Sequence, residues 1–165
     1  MKLIENSPHK ILGIIGGLHS CGLAYIENGE IKVVIEEERI IRQKPYVDLE
    51  NDFFRYPLNS IARLIEKYNV DLNQIDYFTS FLEYNVIKDM LKTIANFDLP
   101  GEKFVKTEHH ESHCALAYYL SDFQEDTLVV AIDGSGEHHS AKYYLGTNGK
   151  MEYIDGIGID RKSLS

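Results

Sequence analysis

Apolar residues along the chain fall into short runs, some with the two-residue period of strands and others with the spacing of helices. Three runs near the start have the character of strands: Ile11–Gly16, Gly22–Ile26 and Ile31–Glu36. Asn28 and Gly29 stand between the last two runs, and this dipeptide between alternating apolar segments is a strong hairpin signal. The pattern therefore predicts one strand followed by a β-hairpin.

Helical spacing begins at Pro57, after a polar and charged stretch from Glu37 to Asp52. The apolar positions that share one face of this helix are Leu58, Ile61, Ala62 and Ile65. The pattern predicts that the helix ends near Asn69, and further helices are predicted over Tyr84–Phe97 and His109–Leu120.

The remaining apolar runs predict strands at Ile75–Phe81, Phe104–Val105, Thr127–Asp133, Lys142–Leu145 and Met151–Ile154. Thr147-Asn148-Gly149 separates the last two and predicts a second hairpin. Strands and helices in this order indicate an α/β fold with a mixed sheet and flanking helices. A chain of 165 residues suits one domain with one core.

Charge and composition exclude several classes of partner. The formal net charge of -9 leaves no basic surface for nucleic acid or anionic lipid. No apolar run is long enough to span a membrane, and the first ten residues lack the apolar segment of a signal peptide. We therefore expect a cytoplasmic protein, in which Cys21 and Cys114 are thiols.

Three histidines lie close together in the segment His109-His110-Glu111-Ser112-His113. On a helix, His109 and His113 are four residues apart and share one face, where both imidazoles can reach one metal ion. Such a pair suits zinc or iron. The alternative is a polar helix start whose histidines cap the helix or lie in solvent.

A carboxylate followed by glycines lies at the end of a buried strand, in the segment Asp133-Gly134-Ser135-Gly136-Glu137. Glycines allow a phosphate to approach the backbone, so the segment suits a nucleotide or metal site, although a tight turn explains it equally well. Gly16-Gly17-Leu18-His19 also follows a buried strand, and His19 has the chemistry of a general base or of a structural loop residue.

A fourth segment, Glu36-Glu37-Glu38-Arg39 with Arg42 and Lys44, has by itself the pattern of a solvated mixed-charge stretch. The four segments together, in this order, resemble the O-carbamoyltransferases that modify antibiotics and nodulation factors. The resemblance covers nearly the whole chain, and residues 109–113 and 132–137 are similar to the histidine and acidic glycine motifs of that family.

The resemblance implies an actin-like, ribonuclease-H-type fold related to the tRNA threonylcarbamoyl transferases. It implies that carbamoyl phosphate and ATP give a carbamoyl-adenylate, whose carbamoyl group passes to a substrate hydroxyl. The implied metal ligands, for Fe²⁺ or Zn²⁺, are His109, His113 and Asp133. Lys44, Gly134, Gly136 and Glu137 are implied at the adenylate, and His19 at the acceptor hydroxyl.

The chain departs from the family at Ser20-Cys21-Gly22 and at His138-His139-Ser140. The family also continues into a second half of the fold and an adenylate-forming domain. We therefore expect residues 1–165 to be the N-terminal lobe of an actin-like carbamoyltransferase, inactive alone and prone to self-association or to pairing with a complementary chain. The alternatives are a non-catalytic metal- or nucleotide-binding domain, and an actin-like sugar kinase.

Overall fold

The computed structural model describes residues 9–17, 20–43, 56–123, 126–133 and 139–158. They divide into two compact units, one within Lys2–Lys106 and one within Thr107–Ser165. The buried apolar side chains form two separate clusters, one in each unit. Chain length predicts a single core but cannot show how contacts divide along the chain.

The first unit is built on a five-stranded mixed sheet. Its strands are β1 (Lys10–Ile15), β2 (Gly22–Glu27), β3 (Glu30–Glu36), β4 (Tyr77–Ser80) and β5 (Phe104–Lys106). The order across the sheet is β3-β2-β1-β4-β5. Strands β1 to β3 are antiparallel neighbours, whereas β4 is parallel to β1 and to β5. The mixed sheet is the arrangement that the sequence predicts.

The turn between β2 and β3 confirms the first predicted hairpin. Asn28 and Gly29 have φ angles of 54° and 73°, both in the left-handed region. A two-residue turn of this kind matches the right-handed twist of the flanking strands, and asparagine and glycine adopt it at low cost.

Among the described residues of this unit, three α-helices accompany the sheet: α1 (Glu37–Ile41), α2 (Leu58–Tyr68) and α3 (Tyr84–Ala95). Each is followed by a residue in the left-handed conformation, and two of these are asparagines, Asn69 and Asn96. The predicted helices after Pro57 and over residues 84–97 are confirmed. Helix α1 lies where the sequence indicates only a polar stretch.

The described part of the second unit contains one helix and an antiparallel three-stranded sheet of order β6-β7-β8. Its elements are α4 (His109–Leu120), β6 (Thr127–Ile132), β7 (His139–Thr147) and β8 (Lys150–Gly158). Cys114 and Tyr118 of α4 belong to the same buried cluster as Val129, Ala131 and Tyr144 of the sheet. The second predicted hairpin is confirmed, with strands longer than predicted.

None of the helices in the described part of the chain is long and apolar enough to cross a membrane. Cys21 and Cys114 are both thiols, as predicted.

Candidate metal centre

One face of helix α4 is buried in the core of the second unit, and this fixes the direction in which the two histidines of the neighbouring face point. His110, Cys114 and Tyr118 are buried, and they follow one another at intervals of four residues. His109 and His113 lie on a neighbouring face, where their side chains are 29% and 55% exposed. The predicted pair of imidazoles on one helix face is therefore confirmed, and both rings can be reached from solvent.

Asp133 follows directly after β6 and is held there by its main chain. Its backbone N–H donates to the carbonyl oxygen of Ser140 at 2.9 Å, which extends the pairing between β6 and β7 by one residue. The carboxylate is 38% exposed. The Asp133 carboxylate at the end of β6 therefore lies next to the N-terminal turn of α4.

The three side chains converge on a small volume. His109 Nε2 lies 2.7 Å from Asp133 Oδ2 and 3.2 Å from His113 Nε2. His113 Nε2 lies 3.8 Å from Asp133 Oδ2. Ligand atoms that are 2.0–2.2 Å from one metal ion are roughly 3–3.6 Å apart, so these separations are close to those of a shared ion. Within the described residues, this is the group of His, Cys, Asp and Glu side chains that could hold a metal.

The chemistry of the three atoms also fits a metal ion. With no ion, the two short contacts of His109 Nε2, to Asp133 and to His113, would have to share one ring proton. A metal ion instead accepts one lone pair from each of the three atoms. Two imidazoles and one carboxylate form a donor set that suits Fe²⁺ or Zn²⁺. The residues therefore fit the metal that the resemblance implies.

An ion pair with one buried partner, Lys142, lies next to this cluster. The Lys142 side chain is only 7% exposed, and its Nζ donates to Glu108 Oε1. The Lys142 ammonium also lies 5.4 Å from the ring centroid of Tyr153, within the range of a cation–π interaction. Glu108 directly precedes the candidate ligand His109, so the pair joins the start of α4 to β7.

His110 completes the surroundings of the cluster. It is 2% exposed, and its Nε2 has no hydrogen-bond partner among the described residues. Burial, followed by the repulsion of a charged His109, lowers the pKa of His110. The histidine motif thus contains two accessible imidazoles and one that is buried inside the unit.

Five predicted site residues lie outside the described residues: His19, Lys44, Gly134, Gly136 and Glu137. Their roles stay predictions. In the first unit, a cavity of about 300 Å³ is lined by residues adjacent in sequence to two of them, including Ser20 and Gln43.

Glu37 has a structural role that the sequence pattern does not indicate. It is 5% exposed, although its segment has the composition of a solvated stretch. Its two carboxylate oxygens accept from the backbone N–H groups of Asn59 and Ser60 at 3.0 and 2.7 Å, and from their side chains at 2.6 Å each. Glu37 therefore caps the N-terminus of α2. The sequence contains one indication that α2 needs a cap from elsewhere in the chain. Pro57 stands at its N-cap position and cannot cap the helix with its own side chain.

The sequence around the candidate centre is similar to a known family. Residues 81–158 match the family described as carbamoyltransferase N-terminus. The match covers 78 of the 165 residues. The matched segment contains all three residues of the candidate metal centre, His109, His113 and Asp133. The predicted resemblance to this family is confirmed over these residues.

A curated relative extends the similarity over most of the chain. The uncharacterized protein sll1178 of Synechocystis sp. is 26% identical in an alignment 174 residues long. The alignment covers 86% of this chain and 28% of the relative. The chain therefore spans less than a third of the length of that protein.

Solved structures show the fold. YeaZ from Pseudomonas aeruginosa matches with a TM-score of 0.55 at 13% identity, over 93% of this chain and 69% of that one. An uncharacterized protein with similarity to peptidase YeaZ, also from Pseudomonas aeruginosa, has the same TM-score and identity, over 93% of this chain and 68% of that one. YeaZ has an actin-like ATPase fold, so the predicted fold class is confirmed.

Proposed function

We propose that this chain is the metal-binding N-terminal part of a carbamoyltransferase. The enzyme would move a carbamoyl group from carbamoyl-adenylate, formed from carbamoyl phosphate and ATP, to the hydroxyl of a small molecule, with AMP as the leaving group. The observation that carries the proposal is the convergence of His109, His113 and Asp133 within residues that match the family.

The exposure of the centre supports a role in catalysis. His113 is 55% and Asp133 38% exposed, so a substrate has access to the cluster. A structural zinc site usually has four protein ligands, whereas a catalytic one keeps a position open. When bound here, Fe²⁺ or Zn²⁺ would polarise the carbamoyl carbonyl as a Lewis acid.

The chain's own residues have distinct tasks in this proposal. His109 and His113 are fixed on one helix face, and Asp133 is fixed by the strand that ends beside it, so the cluster is organised before the substrate arrives. Lys44, Gly134, Gly136 and Glu137 would contact the adenylate, and His19 would accept or orient the proton of the attacking hydroxyl. These five roles follow from the resemblance.

The experiment is a transfer assay with ¹⁴C-labelled carbamoyl phosphate, ATP, Fe²⁺ or Zn²⁺ and a panel of hydroxyl-bearing small molecules. The 165-residue chain is assayed alone and mixed with residues of the Synechocystis relative that lie beyond the aligned region. We expect no transfer by the chain alone, because one side of a site cannot position both reacting groups. Transfer by the mixture that is lost in His109→Ala/His113→Ala would support the proposal.

Metal binding without transfer in any combination would favour the alternative, a non-catalytic metal-binding domain. A wild-type chain that binds no Fe²⁺ or Zn²⁺ would contradict both readings, because each depends on the same three ligands. Elemental analysis of untagged protein separates these outcomes.

A further inference from the structure

Glu108 occupies the N-cap position of α4 but does not cap the helix with its side chain. Its carbonyl oxygen accepts from the backbone N–H of Ser112 at 2.9 Å and from the Ser112 hydroxyl at 2.8 Å. Its carboxylate instead pairs with Lys142 on β7. Glutamate is not among the residues that usually cap a helix with their side chains, and here the carboxylate makes a contact between the helix and the sheet.

The pair lies where the metal ligands meet. Glu108 immediately precedes His109. Lys142 is paired in register with Ala131, which stands two residues before Asp133 on β6. One partner is therefore attached to the element that carries two ligands, and the other to the sheet that carries the third. The apolar contacts of Cys114 and Tyr118 begin more than a turn further along α4.

The environment of Lys142 restricts where its ammonium can lie. A buried ammonium has a high free energy unless a counter-charge and favourable contacts surround it. The Glu108 carboxylate supplies the charge, and the Tyr153 ring contributes a cation–π contact. A displacement of the first turn of α4 would separate Glu108 from Lys142 and leave a buried charge without compensation.

We propose that the Glu108–Lys142 ion pair is a positioning element of the metal centre: it fixes the first turn of α4 on β7, so that His109 and His113 meet Asp133. The inference rests on the proposed metal site. Neither residue contacts the metal in this proposal, and both act through the geometry of the ligands. Residues that orient metal ligands in this way typically change metal affinity by about 10- to 100-fold when removed.

Lys142→Met tests the proposal because a positioning role and a purely electrostatic role of Lys142 predict opposite changes in metal affinity. Removing a cation close to a metal site, and leaving Glu108 with its negative charge, would tighten the binding of a divalent ion if charge alone mattered. Loss of positioning predicts weaker binding, by about 10- to 100-fold. Lys150→Met is the matched control, since it removes an exposed lysine from the same sheet.

The measurement is a chelator competition with Co²⁺ and Zn²⁺ on the full 165-residue chain, together with the Co²⁺ absorption spectrum as a readout of ligand geometry. We expect Lys142→Met to bind more weakly and to show an altered spectrum. Lys142→Arg, which keeps the charge opposite Glu108, should recover most of the affinity. Lys150→Met should match the wild type.

A second variant keeps the test decisive if Lys142→Met does not fold. Glu108→Gln/Lys142→Met replaces both charges, so that neither partner is left as an uncompensated charge and the desolvation cost of the buried ammonium is removed. The proposal predicts that this double variant, folded by circular dichroism, still binds Co²⁺ at least 10-fold more weakly than the wild type.

Binding by either variant as tight as that of the wild type, with an unchanged spectrum, would overturn the positioning role and leave the metal site intact. A wild-type chain that binds neither Co²⁺ nor Zn²⁺ would overturn the proposed function and this inference together. The two failures are therefore distinguishable.

Discussion

His109 Nε2 and Asp133 Oδ2 lie 2.7 Å apart although 24 positions separate the two residues in the chain. The contact exists because α4 packs against β6 and β7 while the backbone of Asp133 stays paired with Ser140. Two rigid elements thus present a nitrogen and an oxygen to the same point. An arrangement of this kind is suited to binding an ion, because its ligands need little reorganisation.

The first prediction is that the purified chain binds about one Fe²⁺ or Zn²⁺ ion per molecule, and that His109→Ala/His113→Ala abolishes this binding. Elemental analysis and chelator competition on protein without a histidine tag provide the measurement. His9→Ala is the control, because it removes a half-exposed histidine from the other unit. An unchanged metal content in the double variant would contradict the site.

The second prediction concerns Glu37. In Glu37→Ala the backbone N–H groups of Asn59 and Ser60 lose their acceptor at the start of α2, and a buried anionic hydrogen-bond network disappears. We expect a loss of about 2–4 kcal/mol in the free energy of unfolding. Glu37→Gln keeps one accepting oxygen and should lose less. Urea denaturation followed by circular dichroism measures both.

Glu36→Ala is the matched control for Glu37. Its carboxylate is 58% exposed and pairs with Arg39 on the surface, so its removal should change stability by less than about 1 kcal/mol. Equal effects of the two substitutions would show that Glu37 does not cap α2.

The two glutamates also show where sequence reasoning fails. The segment Glu36-Glu37-Glu38-Arg39 consists entirely of charged residues, and periodicity gives no reason to bury one of them. Burial of Glu37 is decided by unsatisfied N–H groups more than twenty residues later, because Pro57 leaves the start of α2 without a side-chain cap. Such a tertiary requirement is invisible to a local pattern.

The candidate metal centre was predictable in part. The four-residue spacing of His109 and His113 on a helix places both on one face, and this follows from helix geometry alone. Asp133 joins them only through strand pairing and helix packing, so its assignment came from the family resemblance. The burial of Lys142 could not be predicted from the sequence. A lysine between apolar residues gives the same sequence pattern whether its ammonium group is buried or solvated.

The third prediction is a pH dependence that originates at Tyr144. Burial, followed by the nearby carboxylates of Glu108 and Glu111, raises the pKa of Tyr144 to about 12. In the unfolded chain a tyrosine ionises near pH 10. Below pH 10 the hydroxyl is protonated in both states. Between about pH 10 and 12 only the unfolded state loses the proton, so the free energy of unfolding falls as the pH rises.

Tyr144→Phe should therefore make this alkaline loss of stability shallower, by no more than about 3 kcal/mol at pH 12. Urea denaturation at pH 8, 10, 11 and 12 measures the slope. Tyr119→Phe removes a tyrosine of the same unit that is 39% exposed, and it serves as the control. If the free energy of unfolding falls equally steeply with pH in the wild type and in Tyr144→Phe, Tyr144 is not the source of the alkaline loss of stability.

The last prediction is that the isolated chain self-associates through the second unit. Alternate residues of β6 face away from the cluster of Cys114 and Tyr118, and three of them are apolar and exposed: Leu128 at 62%, Val130 at 40% and Ile132 at 80%. Leu128 is paired in register with Leu145 of β7, which is also exposed, so the apolar surface continues across the sheet. Contiguous apolar surface of this kind marks a site of association.

Light scattering over a wide concentration range tests this prediction, with dimers or larger species expected as the concentration rises. Leu128→Lys/Leu145→Lys places two charges in the middle of the apolar surface and should shift the chain toward the monomer. Phe123→Lys is the control, because Phe123 is 67% exposed in the same unit but lies outside the sheet. If the wild-type chain is a thermally stable monomer at every concentration, the apolar face of β6 and β7 does not cause association. That result would favour an independent metal-binding domain over one lobe of a larger enzyme.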